Sequence, residues 1–95
     1  MKAISIRQPY ASQIMLGLKR VECRSWATRH RGPLLLCANA SPQIAGLPAG
    51  RAIGIMDISA CEKVGDEYWW TIGSVTRIPP FPVLGRLGLF DVELQ

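Results

Sequence analysis

One stretch concentrates ionisable side chains at spacings that suit chemistry: Gly17-Leu18-Lys19-Arg20-Val21-Glu22-Cys23-Arg24. If it passes from a helix end into a strand, Lys19 enters through the turn. Glu22 and Arg24, two residues apart, then share one strand face. A lysine beside a carboxylate is a candidate acid–base pair, provided burial brings the carboxylate toward neutrality. Neighbouring cations pull the other way and favour the ionised form. Trp26 continues the same face and offers a flat surface for a base. Arg24, Arg29 and Arg31 present planar forks suited to phosphate or carboxylate. Each residue also has an ordinary structural use. Glu22 and Arg24 suit a surface ion pair, Lys19 a helix-end charge, and Trp26 a core position.

Charge points to the same region. The 95 residues carry 11 Lys and Arg against 7 Asp and Glu, for a formal +4. Residues 1–32 hold seven of the basic side chains and a single acid, Glu22, whereas residues 33–95 hold four basic side chains and six acids. A basic patch drawn from one third of the chain suggests an anionic partner, with nucleic acid the leading class. The one histidine, His30, excludes a paired-histidine ribonuclease. The three cysteines, Cys23, Cys37 and Cys61, form no C-x-x-C, so a zinc knuckle and a disulfide framework are unsupported. A reducing, cytoplasmic setting is expected, with no metal and no cofactor. No apolar run suits a membrane span, and the start is too short in its apolar part for a signal peptide.

The elements that would position these residues follow from periodicity. Residues 2–7 alternate as a short strand. Pro9 suits a first helical position, and Tyr10, Ala11, Ile14, Met15 and Leu18 mark one face of a helix over 9–18, stopped near Gly17. Further strands are expected at 21–26, 33–38, 52–60, 68–78 and 87–94, with Gly54 marking a bulge or a close approach. Residues 39–50 read as a loop or a short helix. Pro79, Pro80 and Pro82 imply an exposed edge or a loop. Of Trp69 and Trp70, one faces inward and one outward. At 48% hydrophobic and 19% charged, the chain has enough apolar surface to fold as one domain over 1–95. The natural architecture is α+β: a small, strongly bent sheet or barrel of five to six strands, with one or two helices. A monomer is the default state.

The same residues resemble a known family. Gly17-x-Lys19-x-x-Glu22-x-Arg24 matches the G-x-K-x-x-E-x-R signature of the ASCH (activating signal cointegrator homology) domain. Ile4 to Ala11 resembles that family's opening, where an aromatic follows Gln-Pro. Ser25-Trp26 and Arg29 to Leu35 resemble its next block, and Gly85 to Phe90 its closing strand. The resemblance covers nearly the whole chain. It implies a PUA-like barrel with a helix beside a cleft, and association with RNA or a modified nucleotide. On that reading Lys19, Arg24, Arg29 and Arg31 contact phosphate or base edges. Glu22 accepts from a base or orients its neighbours, Trp26 or Tyr10 stacks, and Gln8 lines the cleft.

Two other functions remain open. Some ASCH-type proteins are described as ribonucleases, others as amidohydrolases of acetylated cytidine that use a lysine and, three residues on, a threonine nucleophile. Lys19 matches that lysine, but Glu22 occupies the threonine position, which argues against the covalent step. An enzyme of this kind would use Lys19 and Glu22 as its reacting pair. The third reading is a protein-interaction or regulatory domain.

Overall fold

A strand whose alternate residues are all apolar on both faces must be covered on both faces. Gly32–Ala38 is such a strand, with Leu34 to Ala38 all buried. It lies at the centre of the computed structural model, which describes residues 1–94. In chain order the elements are β1 (Lys2–Ile6), α1 (Tyr10–Met15), β2 (Val21–Arg24), β3 (Gly32–Ala38), β4 (Arg51–Val64), β5 (Glu67–Pro82) and β6 (Leu89–Asp91). The six strands form one sheet in the order β2-β5-β4-β3-β1-β6. β1 runs parallel to β3, and the other pairings are antiparallel.

Period two divides the apolar residues between two cores. Ile4, Ile6, Leu34 and Leu36 join Ile14, Met56, Ile58 and Trp70 on one face. Ala3, Leu35 and Cys37 join Ala52 and Phe90 on the other. Each fully buried Leu or Ile contributes about 1.5–3 kcal/mol, so the inner cluster dominates cohesion. Trp26 packs edge-on against Trp70, with ring centroids 4.7 Å apart at 82°. Of the adjacent pair, Trp70 is fully buried and Trp69 faces outward, 40% exposed.

The α+β architecture agrees with expectation, but a ladder-closed barrel does not form. No strand pairing joins β2 to β6 among the described residues. The sheet bends instead through β4 and β5, whose pairing shifts register at three places between Ala52 and Ala60. Such irregularities bend a strand and increase its twist. The proline segment lies inside β5 rather than in a loop, with Pro82 opposite Arg51. β2 pairs with β5 only over Tyr68 to Thr71, which leaves the later part of β5 as an edge, where missing N–H donors are tolerated. Residues 39–50 form turns and bends rather than a helix.

The helix is shorter than its apolar pattern suggested, because its end is set by backbone hydrogen bonds. Gly17 adopts φ +76, its N–H bonds Ile14 O at 3.0 Å, and Leu18 N–H bonds Gln13 O at 2.9 Å. This is a Schellman closure, in which a left-handed glycine stops the helix and reverses the chain. At the start, Gln8 is 2% exposed, accepts from Ser12 N–H at 3.0 Å and donates to Pro48 O at 2.9 Å. It serves as the cap that Pro9 cannot supply. The helix rests on β4 at Gly54, where a Cβ would press into Met15 Sδ and stand 2.9 Å from Thr76 O.

Gly54→Ala is therefore expected to lower stability by about 1–3 kcal/mol, because the Thr76 carbonyl cannot yield without disturbing the ladder. Denaturant unfolding checks this. A second expectation concerns Cys37, whose thiol burial pushes up from 9.0 to about 11. The folded state holds that proton more tightly than the unfolded chain. The stability it contributes is thus full below about pH 9 and is lost as pH rises toward about 11. A maleimide at pH 8 should label exposed Cys23 quickly and leave Cys37 protected until the protein unfolds.

Candidate functional site

A nearly buried carboxylate is costly unless cations accompany it. Glu22 is that carboxylate, with its side chain 8% exposed. Period two turns it inward beside Arg24, while Cys23 between them faces out. Arg24 Nη2 lies 3.1 Å from Glu22 Oε2, and Lys19 Nζ lies 3.6 Å from Glu22 Oε1. Each carboxylate oxygen thus has its own cation. The Schellman turn delivers Lys19 to this position, its N–H bonding Gln13 O at 3.2 Å. Lys19 Nζ also sits 5.6 Å from the centre of the Tyr10 ring, so the first helical residue and the turn after the helix meet.

Arg24 makes one further bond, donating from Nη2 to Ser5 O at 3.2 Å. That bond runs from β2, at one end of the strand order, to β1, next to the other end. A guanidinium therefore spans the seam that a ladder would close in a complete barrel. The seam is an open cleft of about 700 Å³. Its lining includes Ser5, Tyr10, Lys19, Glu22, Arg24 and Asn39. The Ser5 hydroxyl donates to Asn39 Oδ1. Across the mouth lies the loop 84–88, bringing Leu84, Arg86 and Leu87, with Leu87 fully exposed.

The sequence-derived candidates divide accordingly. Tyr10, Lys19, Glu22 and Arg24 converge on the cleft. Gln8 is buried as the helix cap. Trp26 packs on the core beside Trp70, and its carbonyl accepts from Trp70 Nε1–H at 3.4 Å. Arg29 is exposed away from the cleft lining. Arg31 folds back on its own loop, donating from Nη1 to Thr28 O at 3.1 Å and to His30 O at 2.8 Å. His30 bonds Pro33 O at 2.8 Å. Sequence reasoning missed Arg7, Ser5, Asn39 and Arg86 as cleft residues. A Gly-Arg-Leu-Gly tetrad at 85–88, with Gly88 at φ +68, was the available signal for the last.

The chemistry on offer is hydrogen bonding and charge: one carboxylate acceptor with donors on both flanks, beside an aromatic face. Among the described residues, no three metal-ligating side chains cluster. No helix among them is long and apolar enough to cross a membrane.

Comparison with known proteins adds a family. A model of the ASCH domain matches residues 4–73, which include the helix, Lys19, Glu22 and Arg24. Over 43 residues the chain is 54% identical to activating signal cointegrator 1 of Homo sapiens and 51% identical to that of Mus musculus. Each match covers 42% of this chain and 7% of the relative, so the chain spans a small fraction of those proteins' length. The loop 84–88 lies outside the family match.

Replacing Arg24 with Ala is expected to lower stability by about 2 kcal/mol, below the roughly 3–5 of a fully buried pair, because its side chain retains some exposure. The Arg24→Ala/Glu22→Gln double variant should be less destabilised than the sum of the two single variants. A double-mutant cycle by chemical denaturation measures that coupling, and strict additivity would remove Arg24 as the partner of Glu22.

Proposed function

The chain belongs to the ASCH domain family, and on that premise we propose that it binds RNA or a modified nucleotide in the cleft between β1 and β2. The observation that carries this reading is the convergence of Lys19, Glu22 and Arg24 on one open cleft beside the Tyr10 ring. A site for phosphate alone needs no carboxylate at its floor. A site that also reads a base needs an acceptor as well as donors. Tyr10 supplies a face for stacking, and exposed Leu84 and Leu87 supply apolar cover at the mouth. Arg7, Lys19 and Arg86 supply the positive rim that attracts and aligns a backbone. Arg29 and Arg31 add to the general positive field from outside the cleft. A reducing, cytoplasmic setting suits the three free thiols.

Binding is favoured over catalysis by Lys19 and Glu22. Both carboxylate oxygens already face cations, which makes the group a charge-paired acceptor. Neither oxygen is left as the hydroxyl-type nucleophile an acyl transfer requires.

The test is binding of a labelled single-stranded RNA at low and moderate salt. Wild-type affinity should fall steeply with salt. Arg7→Ala/Arg86→Ala should weaken binding and flatten the log–log salt slope by about 1.4, roughly 0.7 for each phosphate no longer neutralised. Arg29→Ala/Arg31→Ala should change the slope less. Absence of RNA binding, or a slope unchanged in Arg7→Ala/Arg86→Ala, would sink this reading.

A further inference from the structure

Resting on the nucleotide-binding reading above, we propose that the cleft prefers a base with an imide edge over cytosine and guanine. Such an edge presents a ring N–H flanked by two carbonyls, as in uracil. Selection rests on the order of donors and acceptors on the cleft floor. Glu22 is acceptor-only as a carboxylate and is flanked on both sides. Lys19 Nζ stands 3.6 Å from Oε1 and Arg24 Nη2 stands 3.1 Å from Oε2. The row therefore reads donor, acceptor, donor.

Both flanks keep protons to give. Lys19 has three N–H donors, and at 3.6 Å its contact with Glu22 is an ion pair that leaves them able to bond elsewhere. Arg24 spends the two on Nη2, on Glu22 Oε2 and Ser5 O, and its other donors remain. Asn39, also in the lining, accepts from Ser5 through Oδ1. Glu22 is thus the charged acceptor between two donor groups.

An imide edge presents acceptor, donor, acceptor and satisfies all three positions. Cytosine presents donor, acceptor, acceptor. With its amino group on Glu22, only one flank finds an oxygen or nitrogen to pair, and the other donor faces nothing. Adenine differs, because its amino group lies between the acceptors N1 and N7, and the row does not discriminate against it. Guanine places two N–H groups on the carboxylate and its carbonyl on one flank, leaving the second flank against an amino group. A site built to pair every group discriminates because a poor match leaves a desolvated donor unpaired. The volume of about 700 Å³ lies in the range that holds a nucleotide-sized ligand. Glu22 is the residue on which selection turns.

The experiment is calorimetric or NMR titration of the whole chain with UMP, CMP, GMP and N3-methyl-UMP at fixed salt. UMP is expected to bind about tenfold tighter than CMP, and tighter than GMP by a smaller factor. N3-methylation, which removes the ring N–H but keeps charge and ring, should abolish the preference. Glu22→Gln gives the central position a donor as well as an acceptor, and should bring the UMP-to-CMP ratio close to one. A thermal melt confirms that this variant is folded, and the N3-methyl comparison stands without it. Equal binding of UMP, CMP and GMP, or undiminished binding of N3-methyl-UMP, would overturn base selection and leave nucleotide binding intact. Absence of binding by all the nucleotides and by single-stranded RNA would overturn both.

Discussion

A carboxylate withdrawn from water must be neutralised or accompanied, and most of the local architecture follows from accompanying Glu22. Its two oxygens require two cations, and those cations come from opposite directions along the chain. Arg24 arrives through strand periodicity. Lys19 arrives through the reversal at Gly17, which in turn requires α1 to end at its second turn. The short helix, the left-handed glycine and the inward strand face are therefore linked conditions. Gln8 and Gly54 hold the helix where this geometry is possible, one by capping its start and the other by admitting Met15.

The same guanidinium serves the fold and the site. In bonding Ser5 O it ties together two strands that no ladder joins. The strongly bent β4–β5 pair brings them near, and the inner core of Ile4, Ile6, Trp26 and Trp70 keeps them there. A cleft made in this way is lined by backbone and side chains of several elements but interrupts none of their ladders.

Much of this was legible from the residue pattern, and the exceptions share a cause. Period two was enough to place Glu22 and Arg24 on one face, Cys23 on the other, and one tryptophan of the pair inside. Gly54 announced a close approach because a strand interior has little other use for glycine. Arg29 and Arg31 lie near the site in sequence only, because the chain turns away after Trp26 and Arg31 closes its own loop. Arg86 was overlooked for the opposite reason, lying more than sixty positions from Lys19 and reaching the cleft only because β6 pairs with β1. Trp26 has a side chain suited equally to stacking and to a core, and only the position of Trp70 decides between them. Local periodicity gives direction but not long-range adjacency.

The seam between β1 and β2 carries a broader implication. Where strands are zipped together, the spacing of a sheet is dictated by backbone geometry and is nearly invariant. Here no ladder sets the spacing at the mouth, which is held by core packing and by one arginine side chain. A substitution there can therefore alter the opening without refolding the sheet, in the way that an adjustable jaw differs from a fixed die. The seam can be altered one side chain at a time, whereas the six-stranded frame is tied at every rung of its ladders.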